Sequence, residues 1–237
     1  MGAICRILKS NLRGEINAMD RSQYVDAQVV GFGSGTIFMM PLWEASGLHA
    51  GAKVFLLSDA DTAMVGDHLL GRVVDALGEP LDGLSPIRTS QRQSLQGKPI
   101  NPMQRQPIDR VLDVGVKAIN AMLTVGCGQR LGLIAGSGVG KSVLLGMLTK
   151  FTSADVVVIG LIGERGREVK EFIEQILGPE GMGHAVVVAA PADNSPLLRI
   201  RATNLAHLYA EYFRAQGKDV LLLVDSTLCR PPLLVGP

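Results

Sequence analysis

The run Ala135-Gly136-Ser137-Gly138-Val139-Gly140-Lys141-Ser142 constrains this chain more than any other part of it. Its spacing is that of a phosphate-binding loop, in which backbone N–H groups cradle phosphates, a lysine reaches the outer phosphate oxygens and a hydroxyl holds a divalent cation. Such a loop works between a buried strand and the start of a helix, because the helix N-terminus offers free N–H groups and a favourable dipole to an anion. The usual first glycine is Ala135 here. That position ends a strand, where alanine is sterically acceptable, while Gly136, Gly138 and Gly140 provide positive φ or close phosphate approach. Both flanks fit: residues 131–135 read as a short buried strand and 143–151 (VLLGMLTKF) as an apolar helix.

Beyond residue 108 the chain alternates between strand-like and helix-like runs. Strands are expected at 131–135, 155–162, 185–190 and 219–225, each nearly continuously apolar as a strand buried on both faces must be. Helices are expected at 142–152, 167–177 and 196–216. This pattern predicts an α/β core with a mostly parallel sheet. From 23 to 83, short β-rich runs (YVDAQVVGF, TIFMMPL, AKVFLLSD, LLGRVVDALGEPLDG) are punctuated by Gly and Asp, which predicts a small β-barrel or sheet. Residues 84–110, rich in Pro, Gln, Arg and Ser, read as an extended connector.

Composition excludes several classes. With 47% hydrophobic residues in a 237-residue chain a sizeable core can be buried, and a formal net charge of +1 gives no reason to expect nucleic acid or an anionic membrane as the main partner. Cys5, Cys127 and Cys229 are too dispersed for a zinc site or a disulfide framework, which points to a reducing, cytoplasmic setting. His49, His68, His184 and His207 lack ligand spacing and read as structural or surface residues. The longest apolar runs fall far short of the roughly 20 residues needed to span a bilayer, and the start carries no export or lipidation pattern.

Two acidic positions extend the loop's chemistry. The apolar run 220–224 ends in Asp225, a place where phosphate-loop enzymes hold Mg²⁺, so Ser142 and Asp225 form the candidate metal pair. Glu164 follows the strand at 155–162, at the carboxyl end where ligands bind in open α/β sheets. A carboxylate there can orient and deprotonate a water, with Arg165 beside the developing phosphoryl charge. An equally good reading of these two residues is a solvated, charged helix start, since Glu near a helix N-terminus is favourable in itself.

The runs PINPMQRQPIDRVLDVGVKAINAMLTVGCGQRLGLIAGSGVGKSVLLGML, VVVIGLIGERGREVKEFIEQILGPEG, VVVAAPADNSPLLR and GKDVLLLVDS resemble the flagellar and type III secretion export ATPases, relatives of the rotary ATP synthase catalytic subunits. The resemblance extends from about Gln28 to Ser226. It implies a RecA-like phosphate-loop core at 111–226, preceded by a partial N-terminal β-barrel domain at 1–84 and a connector at 85–110. It also implies ATP and Mg²⁺ as ligands. Gly136, Ser137, Gly138, Val139, Gly140, Lys141 and Ser142 would bind nucleotide, Glu164 would activate water, Arg165 would lie beside the γ-phosphate and Asp225 would be the strand-tip metal ligand. In that family the protein is a homohexamer at the cytosolic face of an export apparatus, working with apparatus components, substrates and chaperones. The tail 227–237 departs from the family pattern, and its adjacent Pro231 and Pro232 prevent a following helix. Two rival expectations therefore stand beside an export ATPase: a catalytically impaired nucleotide-binding fragment, and a rotary ATP synthase subunit.

Overall fold

The computed structural model describes residues 2–9, 23–58, 62–89, 91–97, 100–105, 107–136 and 138–226. Ser137 and the tail 227–237 lie outside the described residues.

The first four strands, β1 (Ile4–Leu8), β2 (Tyr24–Gly33), β3 (Thr36–Pro41) and β4 (Val54–Ser58), form one antiparallel sheet in the order β3-β2-β1-β4. Ser34 and Gly35, both at positive φ, make the two-residue turn joining β2 to β3, the backbone that matches right-handed strand twist. Directly opposite each other on β1 and β2, Arg6 and Asp26 pair at 2.8 Å, and the guanidinium also lies 3.6 Å from the Tyr24 ring centroid. The expected strands are thus present, but as an open sheet; among the described residues it does not close into a barrel.

Next come β5 (Thr62–Val65), β6 (Val73–Val74), β7 (Gln91–Ser94), β8 (Val111–Leu112), α1 (Lys117–Met122) and β9 (Val125–Gly126). Two of these depart from the sequence reading. β6, inside the run expected to belong with the N-terminal strands, pairs in parallel with a strand of the core sheet, and β7, inside the expected connector, pairs with β5. Hydrogen-bonding edges available in space decided both.

The core contains α2 (Lys141–Phe151), β10 (Val156–Ile162), α3 (Gly166–Glu171), a π-helical turn Phe172–Leu177, α4 (Gly178–Met182), β11 (Ala185–Ala190), α5 (Pro196–Ala215) and β12 (Val220–Ser226). Its sheet is parallel throughout, in the order β12-β10-β11-β6. Every residue of β10 and β11 is buried, and alternate side chains go to opposite faces. Val156, Val158 and Ile162 pack with Leu205, Tyr209 and Phe213 of α5, whereas Val157, Ile159 and Leu161 pack with Leu145 of α2 and with Phe172 and Leu177. Helices on both faces explain why these strands read as unbroken apolar runs.

One expected strand is absent. Residues 131–135 are not in a ladder; Leu131 is 61% and Ile134 98% exposed. An apolar run becomes a strand only when a neighbour accepts its N–H and C=O groups, and among the described strands β12 has β10 as its partner while none runs along 131–135.

Candidate functional site

The loop's backbone is set by Gly138 and Gly140, at φ 78° and 94°. An added side chain at either would meet open space, so the requirement for glycine is conformational. Gly140 is the N-cap of α2, and no side chain caps this helix; its first-turn N–H groups stay available to an anion. Behind it, α2 lies flat on the core. Gly146 faces Ile176 so closely that no side chain fits between them, and the Thr149 carbonyl contacts His184 Nε2 at 2.8 Å.

Register brings the acids to the loop. β10 and β12 are neighbouring parallel strands with Leu161 opposite Asp225, so Asp225 and Glu164 emerge at the carboxyl ends of adjacent strands. Gly163 turns the chain out of β10 at φ 82°, its N–H donating to the Ala190 carbonyl at 2.8 Å, and the Glu164 carbonyl accepts from Ala192 N at 2.9 Å. A cavity of about 20 Å³ is lined by Ser142, Leu161, Glu164, Glu168, Val169, Phe172 and Asp225. That is room for one water or one small cation.

Lys141 Nζ donates to Asp225 Oδ1 at 2.7 Å, with the lysine side chain 31% and the aspartate 7% exposed. The bond to Asp225 raises the lysine pKa, opposed by burial. Burial is also the main reason that Glu164 sits above the usual carboxylate range, followed by the negative charge of Asp225 and a hydrogen bond with Glu168. Ser142, Asp225 and Glu164 are hard oxygen donors and suit Mg²⁺. Among the described residues no group of three or more His, Cys, Asp or Glu could by itself hold a metal.

Of the expected site residues, Lys141, Ser142, Glu164 and Asp225 are brought together, with Gly138 and Gly140 shaping the loop that leads to them. Arg165 is 80% exposed, does not line the cavity and reaches Glu168 at 3.7 Å; Val139 is exposed on the loop. Ser137 lies outside the described residues. Glu168 lines the cavity and was missed in the sequence reading. Its signal was the spacing of four residues from Glu164 across a helix start, which returns a side chain to the same side. His207 meets the Thr203 carbonyl of its own helix at 2.8 Å, whereas His184 ties to Thr149 on α2, 35 positions away. Among the described residues no helix is long and apolar enough to cross a membrane.

Residues 115–229 match the family model of the ATP synthase alpha/beta family, nucleotide-binding domain. The flagellum-specific ATP synthase of Pseudomonas aeruginosa is 51% identical over 223 residues, covering 92% of this chain and 49% of that protein. That of Salmonella typhimurium is 55% identical over 209 residues, covering 85% and 46%. Among solved structures, the assembled ATPase EscN in complex with its central stalk EscO, from the type III secretion system of enteropathogenic E. coli, superposes with a TM-score of 0.82 at 40% identity over 96% of this chain and 56% of EscN. A prototypical type III secretion ATPase from pathogenic bacteria gives 0.66 at 46% identity, covering 70% and 48%. The chain spans about half the length of the curated relatives it matches.

Proposed function

We propose that this chain, as a member of the family of the flagellum-specific and type III secretion ATPases, relatives of the ATP synthase alpha and beta subunits, binds ATP with Mg²⁺ at the 135–142 loop and hydrolyses it to energise protein export. The convergence of Lys141, Ser142, Glu164 and Asp225 around one small cavity carries this reading. The first-turn N–H groups of α2 and the Lys141 ammonium bind the phosphates, and Ser142 with Asp225 holds the cation. Mg²⁺, when bound, offsets phosphate charge as the bond to the leaving group lengthens. Glu164, half-buried and above its ordinary pKa, receives a proton from the attacking water. Arg165 contacts the γ-phosphate only after turning inward from its exposed position.

In the same reading the chain works as a ring of like subunits at the cytosolic face of an export apparatus, with export substrates and chaperones as partners. Support comes from EscN, whose solved structures are of the assembled ATPase, one with a stalk protein. A second reading, a nucleotide-binding fragment impaired in turnover, is favoured by the unladdered 131–135 segment and the outward Arg165. Calorimetric titration with Mg-ATP combined with phosphate-release kinetics tests both. Binding with turnover supports the ATPase, binding without turnover the fragment, and absence of binding refutes both.

A further inference from the structure

Resting on the reading of the loop as a nucleotide site, we infer that the Lys141–Asp225 ion pair is a latch that makes nucleotide and cation binding mutually dependent. The carboxylate oxygen that a cation would take is the one occupied by the lysine ammonium at 2.7 Å, and the ammonium that a phosphate would take is the one engaged by Asp225. Each ligand alone must break the pair and leaves one partner behind. A phosphate without a cation strips Lys141 from Asp225 and leaves that carboxylate, almost wholly buried, as a bare charge beside the incoming anion. A cation without phosphate takes Asp225 from Lys141 and leaves the ammonium and the cation as like charges competing for one carboxylate. Together the two ligands exchange both halves of the pair at once: the cation takes Asp225 and the phosphates take Lys141. This is a coupling free energy between two ligands and is therefore reciprocal, so ATP tightens cation binding by the factor by which the cation tightens ATP.

Sequence position does not impose the latch. The two residues come from the start of α2 and the tip of β12, 84 positions apart. The parallel register of β12 on β10 aims the carboxylate at the loop.

The test is ATP affinity in excess EDTA and in excess Mg²⁺ for the wild-type chain, Asp225→Asn, Lys141→Ala and the double variant, at ATP up to millimolar so that weak binding stays on scale. Asp225→Asn should bind metal-free ATP about fivefold to tenfold more tightly than wild type, because its amide holds the lysine weakly, and should lose most of the gain from Mg²⁺. In the Lys141→Ala background the same substitution should give little of that gain. An equal gain in both backgrounds would mean simple charge repulsion between Asp225 and the phosphates and would overturn the latch, as would no gain at all. Should the asparagine variant fold poorly by circular dichroism, Asp225→Ser is measured in its place with the same expectations. Wild-type chain that binds no ATP in either condition refutes the nucleotide site itself, an outcome distinct from loss of coupling.

Discussion

Lys141 Nζ and Asp225 Oδ1 lie 2.7 Å apart, joining the N-terminus of α2 to the tip of β12. This contact places the loop's lysine and the strand-tip acid in a single site that also contains Ser142 and Glu164. It also means that the lysine has a partner of its own before any phosphate arrives.

Removing that lysine should be costly for binding. Lys141→Ala is expected to weaken Mg-ATP affinity by about tenfold or more, the range of one charge-assisted hydrogen bond at about 1.5–3 kcal/mol. Titration calorimetry measures it, and unchanged affinity would remove Lys141 from the phosphate site.

Glu164→Gln should separate binding from chemistry. Affinity for Mg-ATP should stay within about twofold while phosphate release falls by about 10²–10⁴, the usual contribution of a positioned general base. Because Glu164 is held above the ordinary carboxylate range, mainly by burial, its proton-accepting form grows as pH rises through that raised value. Wild-type turnover should therefore climb with pH on its acid limb, and the glutamine variant should lack that limb.

The Arg72–Asp82 pair sets an acid limit on stability near the edge of the core sheet. The Arg72 guanidinium, bonded to Asp82 at 2.6 and 3.0 Å, holds that carboxyl down at about 2, with help from the Leu84 and Val73 N–H groups. A depressed carboxylate contributes stability above its ordinary pKa and loses it as pH falls through the folded value. Asp82→Asn should destabilise by about 1 kcal/mol at neutral pH, allowing for solvent screening. Urea melts across an acid series should show that difference shrinking from about pH 4 toward pH 2.

Gly146 allows α2 to lie against the π-helical turn, so a branched side chain there must push Ile176 aside. Gly146→Val should cost about 2 kcal/mol by overpacking, despite removing a poor helix former. Thermal unfolding should show a lower Tm, partly restored when Ile176→Ala is added. A valine variant as stable as wild type would mean that α2 can retreat from the turn.

Much of the site was legible because its demands are local. Glycines at positive φ, a lysine and hydroxyl at the helix start, and acids ending apolar runs are readable from spacing, and β10, β11 and β12 fell close to their expected bounds. Glu168 was legible in principle, through helix periodicity, yet it became a site residue only when the cavity placed it beside Glu164. The segment 131–135 was misread because hydrophobicity reports a preference for burial, whereas a strand also needs a neighbour to complete its hydrogen bonds.

Spacing along the chain thus specified which chemical groups this protein can present: a glycine-rich loop with a lysine and a hydroxyl at a helix start, and two strand-tip carboxylates. Tertiary structure decided which of them meet. Asp225 reaches Lys141, and β6 joins the core edge, through sheet register. Arg165, the N-cap of α3, lies outward in solvent, 3.7 Å from Glu168. These are pairings between residues that no local pattern relates, and hydrogen-bonding edges and burial choose among them only once the strands are side by side.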